Sequence, residues 1–245
     1  MFHHHTIASP HIFEPCADVH AFYTSKKTGN FSDYVGDDEA LVEHRREELA
    51  TFIGHPIYLA KQVHGDTICC IDTPSDSARA TLCVGEADGL MTNCPHMYLA
   101  IQTADCAAVL LYESKKHVIA ALHAGRAGAK ANITGTAIEK MITRYNGRPE
   151  DIYLFVSPYI KGCHYELPND MLDDFRHFPE AIKKIDNAKS TLDIGIVIAK
   201  QAMQLGVCAT HIEVSATCTA CEHEHFFSYR ASHGQCGRQL TIIGM

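Results

Sequence analysis

A cysteine and a histidine at the ends of two apolar runs are the first residues in this chain that could do chemistry together. Cys106 precedes the apolar run 107–112, and His123 follows the apolar run 118–122. The charged segment 113–117 has hairpin length, so a symmetric turn would make Cys106 and His123 cross-strand partners with Cβ atoms about 5 Å apart. A thiolate and an imidazole at that separation can share a zinc ion or act as nucleophile and base. A buried structural thiol is the alternative.

An arginine between two glycines follows this pair. Gly125 and Gly128 flank Arg126, and a helical apolar pattern begins a few residues later. This segment combines small residues, a cation and the free N–H groups at the N-terminus of a helix. Such a combination favours binding of an anion, above all phosphate. A tight strand-to-helix turn would require the same glycines.

Three further polar residues stand near predicted strand ends. His64 lies in a polar segment between the strand-like runs 57–60 and 67–71, where it could be a metal ligand or a loop histidine. Asp88 and Asp105 could orient a metal ligand or transfer a proton, although an Asp-Gly pair such as the one at Asp88 is usually a turn.

Composition narrows the class of protein. The chain has 245 residues, 46% of them hydrophobic and 20% charged, and no linker-like stretch divides it, so we expect a single domain over 1–245. A net charge of −8 argues against a nucleic-acid partner.

The cysteine count and the N-terminal sequence indicate the compartment. Eleven cysteines, an odd number, and no signal-peptide pattern predict reduced thiols in the cytoplasm. No apolar run approaches the roughly 20 residues that cross a bilayer, so no membrane role is expected.

The periodicity predicts helices and strands in irregular alternation. Helices are expected from Asp37 or Asp38 to Gly54, after Gly128, over 170–178 and over 192–205. The strands between them show no regular βαβ period. An α+β fold with mixed sheets is therefore predicted over a doubly wound fold.

Six motifs then match a known family in order. They are KQVHG at 61–65, EADGLMT at 86–92, TADC at 103–106, HAGRAG at 123–128, GCHYE at 162–166, and FFSYR at 226–230 followed by GRQ at 237–239. On these residues the chain resembles the YfiH-like family, also named laccase domain, polyphenol oxidase or purine nucleoside phosphorylase. The resemblance covers essentially the whole chain.

The resemblance implies a layered αββα sandwich and a metal site formed by His64, Cys106 and His123. It implies zinc-dependent phosphorolysis of adenosine, inosine, guanosine and methylthioadenosine, with adenosine deamination as a second activity; copper is the alternative metal. A monomer or homodimer acting on small molecules is expected. Arg126, Gln62 and Arg230 are expected to bind substrate or phosphate.

Two segments depart from the family pattern. The Gly-Gly-Val-Ser loop of the family is replaced by residues 26–32, and the loop 231–236 also differs. Both could line the pocket and so affect which substrate it accepts.

Several other functions compete with the phosphorylase. Some related bacterial proteins are peptidoglycan editing factors that remove misincorporated serine from a cell-wall precursor, and Cys106 with His123 could cleave an amide without metal. A multicopper laccase needs about ten histidines in paired motifs, whereas outside the tract 3–5 this chain has one His-x-His, at His223 and His225. A binding scaffold without turnover is the non-enzymatic alternative.

A second cysteine motif lies near the end of the chain. Cys218-x-x-Cys221 with His223 and His225 could be a structural zinc site or a redox pair. Four ligands within so short a segment are hard to arrange tetrahedrally. We therefore expect a loop whose cysteines are buried or line the pocket.

Overall fold

The computed structural model describes residues 7–33, 35–75, 77 and 79–245. The histidine tract 3–5, which received no role above, lies outside these residues. Within them the strands are β1 (Ile7–Ala8), β2 (His20–Thr24), β3 (Ile57–Lys61), β4 (Ile68–Cys70), β5 (Thr81–Glu86), β6 (Gly89–Thr92), β7 (Tyr98–Thr103), β8 (Ala107–Glu113), β9 (Val118–Ala124), β10 (Ile152–Val156), β11 (Glu166–Pro168), β12 (Ile182–Lys184), β13 (Lys189–Leu192), β14 (Ile212–Val214) and β15 (Gln239–Gly244). The α-helices there are α1 (Glu39–Ile53), α2 (Arg126–Lys130), α3 (Ile133–Tyr145) and α4 (Ile194–Gln204).

Two large mixed sheets form the centre of the fold. One has the strand order β1-β2-β15-β7-β3-β5 and the other β14-β10-β8-β9-β6-β4. The first sheet pairs β7 antiparallel with β15 and parallel with β3. The second pairs β8 antiparallel with β9 and β4 parallel with β6. Leu99 and Ile101 of the first sheet share a buried cluster with Leu110 and Ala121 of the second, so the two sheets pack face to face.

Helices cover the outer face of each sheet. Leu49 of α1 packs with Ile57 and Ile242 against the first sheet. On the second sheet, Ile138 of α3 and Ile198 of α4 share a cluster with strand residues such as Val109. The resulting order of layers is helix, sheet, sheet, helix, which confirms the predicted α+β class and its αββα arrangement.

The first helix begins and ends where the sequence predicted. The side chain of Asp38 accepts hydrogen bonds from the N–H groups of Ala40 and Leu41, and Gly54 takes the left-handed conformation that closes the helix. The predicted helix over 170–178 was wrong. That region is a 3₁₀ helix over Asn169–Phe175, and its buried residues Leu172 and Phe175 are three positions apart, which suits three residues per turn.

The central hairpin has a different register from the predicted one. His123 pairs with Ala108, not with Cys106, and the strands continue until Glu113 faces Val118. The loop is therefore 114–117, and the Glu113 carboxylate accepts hydrogen bonds from the N–H groups of Lys115 and Lys116. Continuing this register puts Cys106 opposite Gly125, two positions along from His123.

A small sheet of strand order β11-β13-β12 lies between β10 and α4, a region for which the sequence predicted no strands. Leu167 and Leu192 of this sheet join the core beneath α4. Within the described residues, no helix is both long and apolar enough to span a bilayer.

Candidate active site

Three predicted ligand side chains meet at one end of the sheets. His64 lies in the turn after β3, Cys106 immediately before β8 and His123 near the end of β9. Their potential ligand atoms all lie within 4.8 Å of one another, and His123 is buried while the His64 side chain is exposed. The rings of His64 and His123 are nearly perpendicular, with centroids 4.8 Å apart. The proximity predicted for Cys106 and His123 is thus present despite the different hairpin register.

Asp88 fixes the position of both histidines. Its buried carboxylate accepts hydrogen bonds from the backbone N–H groups of Val63, His64 and Gly65, at 3.2, 2.9 and 2.7 Å. A positive φ of 62° at His64 turns these consecutive N–H groups toward one anion. Oδ1 of Asp88 also lies 2.8 Å from Nδ1 of His123, which leaves Nε2 of that ring to bind a metal.

The half-buried thiol of Cys106 and the buried imidazole of His123 alter each other's protonation. Burial opposes ionisation of Cys106, but the charge of His123 and hydrogen bonds from His123 and His64 lower its pKa to about 6. Burial likewise opposes protonation of His123, but the Cys106 thiolate and the bond to Asp88 raise its pKa to about 9. Without metal, the pair is a thiolate and an imidazolium near neutral pH.

Position 125, which lies opposite Cys106 in the hairpin, requires glycine. A Cβ at Gly125 would lie 2.8 Å from Sγ of Cys106 and 3.9 Å from Cδ2 of His64. The missing side chain therefore leaves room for the cluster of ligands. This explains the first glycine of the HAGRAG motif by close approach rather than by turn conformation alone.

The residues fit a metal. Two imidazoles and a thiolate are a donor set that suits zinc or copper, and three protein ligands leave a tetrahedral position open, as in catalytic sites. The carboxylate on the far side of a ligating histidine is the usual partner in such sites. These observations favour a bound metal ion.

A pocket of about 490 Å³ opens above the three side chains. That volume lies in the range of small-molecule sites, roughly 300–1,000 Å³. Tyr165, Tyr229 and Ile160 supply aromatic and apolar surface to its wall. Tyr229 is 56% exposed, an unusual environment for a large aromatic side chain.

The polar lining of the pocket is dominated by arginine. Arg126, Arg230 and Arg238 all reach it, although the chain as a whole carries a charge of −8. Arg230 donates to the carbonyl oxygen of His164 at 2.9 Å, and Arg238 donates to that of Cys236 at 2.8 Å. Within the described part of the chain, no hydrogen bond or ion pair engages the Arg126 guanidinium. Arg126 is thus the cation best placed to receive an anion.

Two predicted residues make mainly structural contacts. The Asp105 carboxylate accepts hydrogen bonds from the hydroxyl of Thr219 at 2.6 Å and the backbone N–H of Arg230 at 2.7 Å. The Gln62 amide is paired in both directions with the backbone of Gln102. Both side chains line the pocket, and their contacts hold its wall in place.

Tyr165, Tyr229 and Arg238 also line the pocket, and their residue types alone predicted no role for them. Each lies within one of the six family motifs. Their positions inside those motifs were the available signal. Of the two segments that depart from the family pattern, 26–32 reaches the pocket through Ser32.

The expectation that the cysteines of the second motif are buried or line the pocket is confirmed for Cys218, which is buried, but not for Cys221, which is exposed and does not line the pocket. Cys218 and Cys221 are grouped with Cys163 and His164 of another loop. Nδ1 of His223 instead lies 3.2 Å from the carbonyl oxygen of Ala220. Four ligands from one short segment are hard to arrange as a tetrahedron, but ligands from two separate loops can approach a metal from different sides.

Comparison with known proteins decides the family. The family model described as multi-copper polyphenol oxidoreductase laccase matches residues 20–245. The chain belongs to this family. Family members of similar sequence carry another name: a protein of Mycobacterium tuberculosis named purine nucleoside phosphorylase is 34% identical over 222 residues, which cover 89% of this chain and 85% of the relative.

A second relative has both a name and a solved structure. The purine nucleoside phosphorylase YlmD of Geobacillus stearothermophilus is 31% identical over 227 residues, covering 88% of this chain and 82% of the relative. The crystal structure of YlmD from that organism matches with a TM-score of 0.86 and 30% identity, over 94% of this chain and 93% of the other. The structure of Bacillus licheniformis YfiH also matches with a TM-score of 0.86, at 28% identity, over 93% and 92% of the two chains.

Proposed function

We propose that this chain is a zinc-dependent purine nucleoside phosphorylase that cleaves adenosine, inosine, guanosine and methylthioadenosine. The observation that carries the proposal is the cluster of His64, Cys106 and His123 at the base of a pocket that also presents Arg126. The names of the relatives support the reaction class.

The pocket has separate surfaces for the two substrates. Tyr165 and Tyr229 offer rings on which a purine can stack. Arg126 offers a charged, multidentate donor for phosphate. The proposal does not depend on a helix dipole, because α2 begins at Arg126 and ends at Lys130, one turn later.

Phosphorolysis forms a bond from a phosphate oxygen to the anomeric carbon and breaks the bond from that carbon to the purine nitrogen. Positive charge develops on the sugar, and the departing base carries negative charge until it is protonated. Arg126 holds the phosphate beside the anomeric carbon, which lowers the entropic cost of the encounter. Asp88 holds His123 in one orientation throughout.

His64, Cys106 and His123 would hold the metal. A bound zinc ion supplies a Lewis acid and lowers the pKa of water toward about 7, the chemistry that adenosine deamination requires. Copper is the alternative occupant of the same donor set. We include adenosine deamination in the proposal as the second activity of this site.

The test is a nucleoside assay with phosphate as the variable. Purified protein is incubated with inosine or adenosine, with and without phosphate, and free base, sugar 1-phosphate and inosine formed from adenosine are quantified. The proposal predicts sugar 1-phosphate in amounts equal to the free base, and none without phosphate. Free base with unphosphorylated sugar would contradict it, as would the absence of cleavage in metal-loaded protein.

One observation favours a second candidate, a metal-free cysteine hydrolase that removes serine from a cell-wall precursor. Asp88, His123 and Cys106 form an acid–base–nucleophile series in which the thiol pKa is about 6. The two functions differ in the accessibility of the thiol. Alkylation of Cys106 at the same rate with and without chelator would favour the hydrolase, whereas protection that a chelator removes would favour the metal enzyme.

Multi-copper oxidation fits the side chains less well. Within the described residues, the potential metal clusters are the site above and the group that contains Cys163. Neither is built from the paired histidine motifs that multicopper laccases use. A non-catalytic scaffold would show no turnover in the nucleoside assay.

A further inference from the structure

Four side chains that take no part in the proposed reaction meet beside the pocket. Cys163 and His164 belong to the loop between β10 and β11, and Cys218 and Cys221 belong to the loop between β14 and β15. Each contributes one potential ligand atom, and all four atoms lie within 4.8 Å of one another. The two loops are far apart in sequence, with Cys163 and Cys221 separated by 58 positions.

Four of the six separations between these atoms are close to those of tetrahedral zinc ligands. Sγ of Cys163 lies 3.5 Å from Sγ of Cys221, and Nδ1 of His164 lies 3.4, 3.9 and 3.3 Å from the sulfurs of Cys163, Cys218 and Cys221. Zinc with Zn–S bonds of about 2.3 Å and a Zn–N bond of about 2.0 Å holds its ligand atoms about 3.5–3.8 Å apart. An ion at the centre would need only small side-chain adjustments.

Backbone contacts already hold the two loops together. Tyr159 and Cys218 form a parallel bridge, and the N–H of Thr219 donates to the carbonyl oxygen of Tyr159 at 3.1 Å. The N–H of Lys161 points to Sγ of the buried Cys218 at 3.4 Å. A hydrogen bond from the backbone to a sulfur stabilises negative charge on it, as a thiolate ligand requires.

The donor set distinguishes this group from the candidate active site. Three thiolates and one imidazole complete a tetrahedron, which is the composition of closed, structural zinc sites. His64, Cys106 and His123 leave one position open. The two groups are therefore suited to different tasks.

We propose that Cys163, His164, Cys218 and Cys221 bind a structural zinc ion that fastens the 157–165 loop to the 215–238 loop. The fastened loops carry part of the pocket wall: Arg230 donates to the carbonyl oxygen of His164 at 2.9 Å, and Thr219 contacts Asp105 at 2.6 Å. This site stands independently of the proposed phosphorylase activity.

The first test uses the natural chain and its own control cysteines. Cys83, Cys163, Cys208 and Cys221 are all exposed. Native protein is treated briefly with an alkylating reagent, with and without a chelator, and each cysteine is quantified by peptide mass spectrometry. The proposal predicts that Cys163 and Cys221 are protected until the chelator is added, while Cys83 and Cys208 react in both conditions. Equal alkylation of all four without chelator would overturn it, as would a Cys163–Cys221 disulfide in untreated protein.

The second test counts metal. Protein prepared without a metal-affinity step should contain two zinc ions per chain, and one in the double variant Cys163→Ser/Cys221→Ser. The matched double variant Cys83→Ser/Cys208→Ser should retain both ions. Loss of zinc from a Cys106→Ser variant reports on the other site, so failure of one site is distinguishable from failure of the other. Wild-type zinc content in the Cys163→Ser/Cys221→Ser protein would overturn the proposal.

Discussion

Nδ1 of His123 lies 2.8 Å from Oδ1 of Asp88, and the same carboxylate binds the backbone N–H of His64 at 2.9 Å. One buried anion thus orients two of the three proposed metal ligands. His64 and His123 come from different segments of the chain, and Asp88 is the side chain that links them.

Asp88→Asn should weaken zinc binding by about 10- to 100-fold, because the amide cannot accept from the ring and three N–H groups as a carboxylate does. Competition with a zinc-binding dye measures the affinity. Asp66→Asn removes an exposed carboxylate from the same neighbourhood and should leave the affinity unchanged. Equal affinities in Asp88→Asn and wild type would show that the carboxylate does not orient the ligands.

The same substitution should change the pH dependence of stability in metal-free protein. Burial opposes ionisation of Asp88, but hydrogen bonds from His123 and the Gly65 N–H lower its pKa overall. A depressed folded-state pKa stabilises the fold above the unfolded value, about 4, and the stabilisation disappears as pH falls through the folded value. Urea unfolding should find Asp88→Asn less stable than wild type at pH 7, and the difference should shrink below about pH 4. A difference independent of pH would contradict this.

The Cys106 thiol should be reactive in metal-free protein at unusually low pH. Its pKa of about 6 means that the thiolate persists until pH falls through about 6, whereas an ordinary thiol ionises at about pH 8.5. The alkylation rate of Cys106, followed by mass spectrometry from pH 5 to 9, should have its midpoint near 6. Asp88→Asn should move the midpoint upward, because His123 loses the partner that favours its charged form. A midpoint near that of free cysteine would contradict the ion pair.

Gly125→Ala should damage the metal site more than the fold. The added Cβ would lie 2.8 Å from Sγ of Cys106, so the sulfur must move away from the other ligands. Zinc affinity should fall by about tenfold or more, while the urea midpoint of metal-free protein changes little. Unaltered zinc affinity would mean that the cluster tolerates a displaced thiolate.

Arg126→Ala should raise the KM for phosphate by roughly 10- to 150-fold, which corresponds to about 1.5–3 kcal/mol for hydrogen bonds to a charged group. The KM for nucleoside should change much less. Lys130→Ala is the matched control. It removes a cation from the same short helix, but Lys130 pairs with Asp174 and does not line the pocket. An unchanged phosphate KM in Arg126→Ala would remove this residue from the proposed mechanism.

Much of the fold and of the candidate site could be predicted from the sequence, for identifiable reasons. The Asp38 cap and the Gly54 terminus depend on local chemistry, which the sequence displays directly. The proposed ligand residues lie in motifs whose order matched a family. The hairpin register depended on Glu113 binding two loop N–H groups and on His117 with a φ of 51°, neither of which the spacing displayed.

The second cysteine group could not be assembled from the sequence because its ligands come from two loops. Cys218 and Cys221 suggested His223 and His225 as partners by proximity along the chain. The parallel bridge between Tyr159 and Cys218 instead brings Cys163 and His164 alongside. Such a pairing depends on tertiary contacts between segments that are distant in sequence.

The measurement that tests the central claim most directly is phosphate-dependent cleavage of inosine by chelator-treated protein, before and after zinc is returned. We expect wild-type protein to lose activity with its metal and to regain it with zinc, and the Cys106→Ser variant to remain inactive in both conditions. Undiminished cleavage in the metal-free protein, or wild-type activity in Cys106→Ser, would contradict a zinc-dependent phosphorylase at His64, Cys106 and His123.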